Sequence, residues 1–253
     1  MKKEIVILWI ASFVITFVVI YLTNLFSKDY PISGTIGIEG KKVSYRFEKV
    51  HYGKDDVTIL IRSDIKNLTG KVFWKSPNDS SWSSINMIES DMILSAKFPS
   101  LKADHKLQYY IELIYKDKKY SLPDNQKVEM KFWGKIPSML KALQFILLNL
   151  GLLLSVRVGL EYFNPKEKIK KFEVFVTLIF LTLTLLVNPL YLSYKYGYIN
   201  SSIPSIDKLF RFKELSISAL WILTIILTFN LKKYKPIPLV SAVITILIFI
   251  IFY

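Results

Sequence analysis

The chain has no cysteine and only two histidines among its 253 residues. Without cysteine there are no disulfides, no thiolate metal sites and no iron–sulfur ligands. His51 and His105 both lie in the polar middle of the chain, away from its long apolar runs. Those runs therefore hold no bis-His haem and no His-bound copper. Neither histidine stands in a ligand-spacing pattern, so no metal is expected, and no cofactor. Walker, G-x-S-x-G and H-E-x-x-H motifs are all missing, as is any repeat between the apolar runs that would mark an inverted-repeat transporter.

Acidic residues are also scarce, 20 against 34 Lys+Arg, for a net charge of +14. Their distribution excludes nucleic acid as the natural partner. Residues 28–135 hold 19 of the bases and 14 of the acids; most of the remaining 15 bases and 6 acids flank apolar runs. Positive charge beside apolar spans sets membrane orientation.

What the chain has in abundance is apolar sequence, 52% of residues. A hydrocarbon core of roughly 30 Å requires about 20 helical residues. Five stretches are candidates, the last two of them short: Ile5–Leu22, Pro137–Glu161, Phe172–Leu192, Leu215–Leu231 and Ile237–Phe252. The first ends in Tyr21-Leu22-Thr23-Asn24-Leu25-Phe26, which lacks a small-x-small cleavage site, so an uncleaved anchor is expected. The last two, joined through Lys232-Lys233-Tyr234-Lys235-Pro236, read as a helical hairpin.

Lys2/Lys3, the run Lys166–Lys171 and Lys232/Lys233/Lys235 fall on one side if the five spans alternate, and by the positive-inside bias that side is cytoplasmic. The 196–214 loop, with Lys208, Arg211 and Lys213, dissents. The expected topology has the N-terminus inside, residues 28–135 outside and the C-terminus outside.

Between the first and second spans the apolar period changes to two. Val43–Val50, Val57–Ile61, Val72–Trp74, Trp82–Ile88, Met92–Phe98, Leu107–Tyr115, Lys119–Leu122 and Val128–Trp133 read as short strands separated by Gly-, Asn-, Asp- and Pro-bearing turns. Seven or eight such strands in about 100 residues predict an antiparallel sandwich of the disulfide-free immunoglobulin or fibronectin-III-like kind. The expected fold is thus a multi-pass α-helical membrane protein with an inserted all-β domain. Its parts are an anchor over 1–27, an extracytoplasmic sandwich over 28–135 and a four-helix transmembrane region over 136–253.

Two sets of residues are candidates for function. Arg157 and Glu161, four apart, share one face of the second span, and Asn188-Pro189 interrupts the third. Intramembrane polar groups are functional candidates by default, against the plainer reading of an ion pair that anchors one helix to another. Pro189 can likewise mark a bend or simply end its helix. In the polar block, Trp74, Trp82, Tyr109, Tyr110 and Trp133 form a candidate binding surface, against the plainer reading of aromatics packing a sheet.

Three stretches carry a resemblance: Leu107-Gln108-Tyr109-Tyr110-Ile111-Glu112-Leu113, Ser155-Val156-Arg157-Val158-Gly159-Leu160-Glu161, and Asn188-Pro189 through Tyr196-Gly197. They resemble a bacterial inner-membrane family in which an N-terminally anchored immunoglobulin or fibronectin-III-like extracytoplasmic domain precedes four transmembrane helices. The resemblance implies that architecture and carries no activity with it. This chain departs from the family in the loop Tyr198–Pro204 and in Phe212-Lys213-Glu214.

Taken together, these features predict a non-enzymatic accessory or scaffold subunit of a bacterial inner-membrane complex, docking an extracytoplasmic protein through its sandwich and membrane subunits through its spans. Two alternatives are a membrane-embedded glycan- or lipid-handling enzyme or transporter using Arg157 and Glu161, and an envelope adhesin or sensor.

Overall fold

The computed structural model describes residues 2–25, 29–124, 126–164, 169–200, 204–231 and 234–252. The chain divides into two compact units. One comprises Met1–Ser27, Ile136–Tyr194 and Ser201–Tyr253; the other comprises Lys28–Lys135 and Lys195–Asn200.

The second unit is a β-sandwich-like domain of eleven described strands: β1 Ile32–Ile38, β2 Lys41–Phe47, β3 Val50–Tyr52, β4 Val57–Ser63, β5 Thr69–Lys75, β6 Ser83–Asn86, β7 Ile88–Ser90, β8 Ile93–Phe98, β9 His105–Tyr115, β10 Lys118–Leu122 and β11 Val128–Trp133. One sheet runs β1-β2-β4-β8-β7, the other β3-β11-β9-β5-β6, with β10 also on β9. Alternation explains the layers. In β4, Val57, Ile59 and Ile61 are buried while Thr58, Leu60 and Arg62 face out. Leu107, Tyr109, Ile111 and Leu113 of β9 meet them in one core with Phe47, Phe98 and Phe132. Registers such as Ile59↔Ala96 and Val72↔Ile111 place apolar side chains opposite each other on the inner faces.

The strand count corrects the seven or eight expected. β1 precedes the region where alternation was legible, because Gly34 and Gly37 leave two of its seven positions without a side chain. Tyr45, paired with Gly34 across β1 and β2, lays its ring over that gap. The strand expected over Trp82–Ile88 is two strands on different sheets. Met87 turns inward between β6 and β7 and donates its N–H to the Gly70 carbonyl at 2.7 Å. The sandwich is also not wholly antiparallel, since β3 pairs with β11 in parallel.

The first unit is helical: α1 Lys2–Leu25, α2 Ser138–Leu160, α3 Ile169–Thr182, α4 Asn188–Lys195, α5 Ile206–Leu209, α6 Phe212–Asn230 and α7 Pro236–Ile251. Four continuous helices among the described residues are long and apolar enough to cross a membrane: Lys3–Leu25, Ser138–Phe163, Lys170–Lys195 and Phe212–Asn230. α7 is apolar but shorter. α1 buries Ser12, Thr16, Val19 and Thr23, a four-three-four spacing that marks one helical stripe. It leaves Ile10, Phe13, Phe17 and Tyr21 exposed. The helix expected to bend or stop at Asn188-Pro189 does not stop there. A π turn over Leu183–Val187 joins α3 to α4, and Pro189, which has no N–H to give the helical ladder, stands directly after that turn at the second position of α4.

Candidate functional site: a buried polar seam in the helical unit

α3 and α6 turn matching polar stripes toward each other. On α3 and its continuation the stripe is Glu173, Thr177, Thr184 and Asn188; on α6 it is Glu214, Ser218, Trp221, Thr224 and Thr228. Spacings of three, four and seven keep each set on one face. Thr228 Oγ1 donates to Glu173 Oε1 at 3.0 Å. Thr184 and Ser218 hydroxyls meet at 2.8 Å, and Ser218 also donates to the Phe180 carbonyl at 3.1 Å. Thr184 reaches the Glu214 carbonyl at 3.2 Å.

α7 joins through Ser241 and Thr245, again four apart. Thr224 and Ser241 hydroxyls lie 2.6 Å apart, and Trp221 Nε1 donates to Thr245 Oγ1 at 3.0 Å. Every one of these side chains is buried. The seam thus links three helices by hydroxyl, indole and carboxylate bonds that an apolar surface alone does not supply. Two carboxyl oxygens, Glu173 Oε2 and Glu214 Oε2, are buried without a hydrogen-bond partner among the described residues.

Arg157 and Glu161 form a separate buried cluster at the end of α2. Arg157 Nη2 donates to Glu161 Oε1 at 2.6 Å, with both side chains 2% exposed. Asn164 Nδ2 donates to Glu161 Oε2 at 2.7 Å. The guanidinium lies 5.3 Å from the Trp9 ring of α1 and 6.0 Å from the Phe172 ring of α3. Cation–π contact of this kind ties α2 to both neighbours. Arg157 Nε and Nη1 have no hydrogen-bond partner among the described residues. Close backbone approach holds the same region together. A Cβ on Gly159 would stand 2.6 Å from the Ala242 Cβ of α7, so the two helices meet at a pair of small residues.

Asn188 is buried and its Oδ1 accepts from Gln144 Nε2 of α2 at 3.3 Å, while its Nδ2 has no partner among the described residues. Pro189 contributes a carbonyl that accepts from Ser193 Oγ at 2.8 Å. Arg157/Glu161 and Asn188/Pro189 are therefore distinct sites on different helical segments.

In the β unit the five aromatic candidates separate. Tyr109 lies wholly within the core, so it belongs to no binding surface. Its hydroxyl donates to the Glu48 carbonyl at 3.0 Å, and burial, with the Glu48 carboxylate adding to it, pushes the phenol well above its ordinary pKa. Trp74 stacks on Phe98 against the core, with ring centroids 5.3 Å apart. Trp133 meets Tyr196 edge-on at 5.4 Å, with Lys195 Nζ 4.3 Å above the indole.

Trp82 and Tyr110 do come together, joined by Phe73, which the sequence reading passed over. Phe73 and Tyr110 are cross-strand partners whose rings stack at 5.0 Å, and Trp82 meets Tyr110 edge-on at 5.0 Å. Lys75 and Lys127 cap Trp82 at 5.5 and 5.0 Å. These three half-exposed rings occupy the outward face of one sheet.

His51 Nε2 lies 2.7 Å from the Asp55 carbonyl oxygen, and His105 Nδ1 lies 3.1 Å from that of Ala103. No group of three or more His, Cys, Asp or Glu suited to a metal occurs among the described residues.

No family model matches the chain, and no curated protein matches it. Among solved structures it is similar to a bromine derivative of BhCBM56, a carbohydrate-binding module, at 15% identity and a TM-score of 0.26, over 42% of this chain and 95% of that one.

Proposed function

We propose that this chain is a non-enzymatic scaffold subunit of a bacterial cytoplasmic-membrane complex. Its helices span the bilayer five times, with the N-terminus inside and the C-terminus outside. Residues 28–135 form an extracytoplasmic immunoglobulin-like domain that docks a protein partner. The strand order supports that class of sandwich: β2-β4-β8-β7 facing β11-β9-β5 follows the ABED and GFC arrangement of immunoglobulin domains.

The observation that carries the scaffold reading is where the buried polar groups of the helical unit spend their bonds. Thr184–Ser218, Thr224–Ser241, Trp221–Thr245 and Thr228–Glu173 each run from one helix to another. Such side chains act as interhelical glue rather than as chemistry facing a substrate. Recognition then falls to the sandwich, whose class is built for binding.

Purification of the full chain in mild detergent, followed by native mass spectrometry, tests this. The reading expects a stoichiometric complex with at least one other polypeptide. A lone monomer would contradict it.

One observation favours a second reading, the glycan- or lipid-handling membrane enzyme or transporter: among the described residues Arg157 keeps two guanidinium nitrogens without a hydrogen-bond partner beside its Glu161 pair. Substitution of both residues separates the two. A structural pair loses protein abundance, whereas a reacting or transporting pair keeps abundance and loses activity.

A further inference from the structure

We propose that the groove between the start of α3 and the end of α6 binds an anionic phospholipid, a site that rests on the membrane-spanning reading above. The groove is lined by Lys170, Lys171, Val174 and Phe175 of α3 and by Phe229 of α6, around a volume of about 270 Å³. On α3 these residues fall at i, i+1, i+4 and i+5, so one flank of the helix carries two cations and then, one turn further in, two apolar walls.

Phe175 and Phe229 are more than half exposed, and Val174 is exposed as well. Below the lysines the lining is entirely apolar. The order along the groove, charge at the helix end and hydrocarbon further in, is the order of a phospholipid from headgroup to acyl chain.

Lys170 is held at the mouth by two aromatic rings. Lys170 Nζ lies 4.8 Å from the Phe229 ring and 5.2 Å from that of Tyr234. Ring faces attract the ammonium without neutralising it, so its charge stays available to a phosphate. Among the described residues neither Lys170 nor Lys171 forms a salt bridge. The nearest acid on α3, Glu173, turns inward to Thr228.

By sequence, Lys166, Lys168, Lys232, Lys233 and Lys235 flank the same two helix ends, against a single acid, Glu167. This is charge complementarity to an anionic headgroup, and in the proposed topology it lies on the cytoplasmic side, where anionic lipid and juxtamembrane lysines meet. Phe229 and Tyr234 supply the aromatic level that marks a membrane interface.

The test uses the full chain in mild detergent, titrated with phosphatidylglycerol or phosphatidylcholine and read by native mass spectrometry. The proposal expects phosphatidylglycerol to be retained preferentially. The pair K170Q/K171Q should lower that preference by roughly tenfold or more, at the scale of a juxtamembrane lysine's attraction to anionic lipid. K170R/K171R should keep it, and the control pair K118Q/K119Q on β10 should leave it unchanged. Equal retention of the two lipids by the wild-type chain overturns the site, as does a preference that K170Q/K171Q leaves intact. Alkaline carbonate extraction of membranes distinguishes the two levels of failure. A chain released by carbonate sinks the membrane reading itself; a chain that stays but shows no headgroup preference sinks only the lipid site.

Discussion

At the scale of single residues, buried polar groups are the positions where small changes have large consequences. Glu161 neutralises a guanidinium that is almost entirely out of solvent. Glu161→Ala therefore leaves an uncompensated buried charge, at a cost of about 3–5 kcal/mol. The double variant R157M/E161M removes both charges while keeping most of the volume. The scaffold reading expects the single change to reduce protein abundance sharply and the double change to recover most of it; immunoblotting of membranes measures both.

Tyr109 supplies a second test, with a defined pH sign. Its pKa is raised in the folded chain above the ordinary value of 10.0, first by burial and then by Glu48. The neutral phenol is thus favoured by folding. This stability is fully present below pH 10 and is lost as pH rises toward the folded-state value. Denaturation followed by tryptophan fluorescence should show the β unit weakening above about pH 10. Tyr109→Phe should flatten that alkaline slope while costing about 1 kcal/mol at neutral pH for the bond to the Glu48 carbonyl.

At the scale of elements, the π turn over Leu183–Val187 sets where the end of the helical polar stripe points. Thr184, Asn188 and Leu192 recur every four residues and all are buried. An uninterrupted α-helix, at 3.6 residues per turn, would drift off that face. Inserting one alanine after Leu186, which is exposed, should add a residue that the π turn does not already absorb and rotate Asn188 away from Gln144 by about 100°. The expected result is a lower melting temperature in detergent, and an unchanged one would show that the turn has no role in packing.

Gly159 is the corresponding element-level constraint on α2 and α7. Gly159→Val should force the helices apart, costing about 1–3 kcal/mol of overpacking, also visible in the melting temperature.

What was legible at this scale followed from periodicity. Alternation in Val57–Ile61 and Leu107–Leu113 located the central strands, and apolar length located the helices. β1 was missed because two of its seven residues are glycine and give alternation little to register. The π turn has no sequence signature, so Asn188-Pro189 read as a stop or bend. The polar stripe was within reach: Glu173, Thr177, Thr184 and Asn188 on one helix, and Glu214, Ser218, Thr224 and Thr228 on another, repeat at helical spacing inside apolar runs. Tyr109 and Tyr110 illustrate the limit in the sheet. Adjacent strand residues face opposite ways, and the sequence alone did not say which of the two was core.

At the scale of the molecule, the chain divides into a helical unit bonded internally across its polar seam and a β-sandwich-like unit with an aromatic outer face. The proposed arrangement places the second outside the membrane that the first spans. The absence of cysteine makes this directly measurable, because any single introduced thiol is the only one in the chain. Asn78→Cys lies in the exposed turn between β5 and β6, and Lys166→Cys lies in the sequence between α2 and α3. Intact cells treated with a membrane-impermeant maleimide should label the first and leave the second unlabelled until the cells are broken. Labelling of Lys166→Cys in intact cells with Asn78→Cys protected would contradict the account.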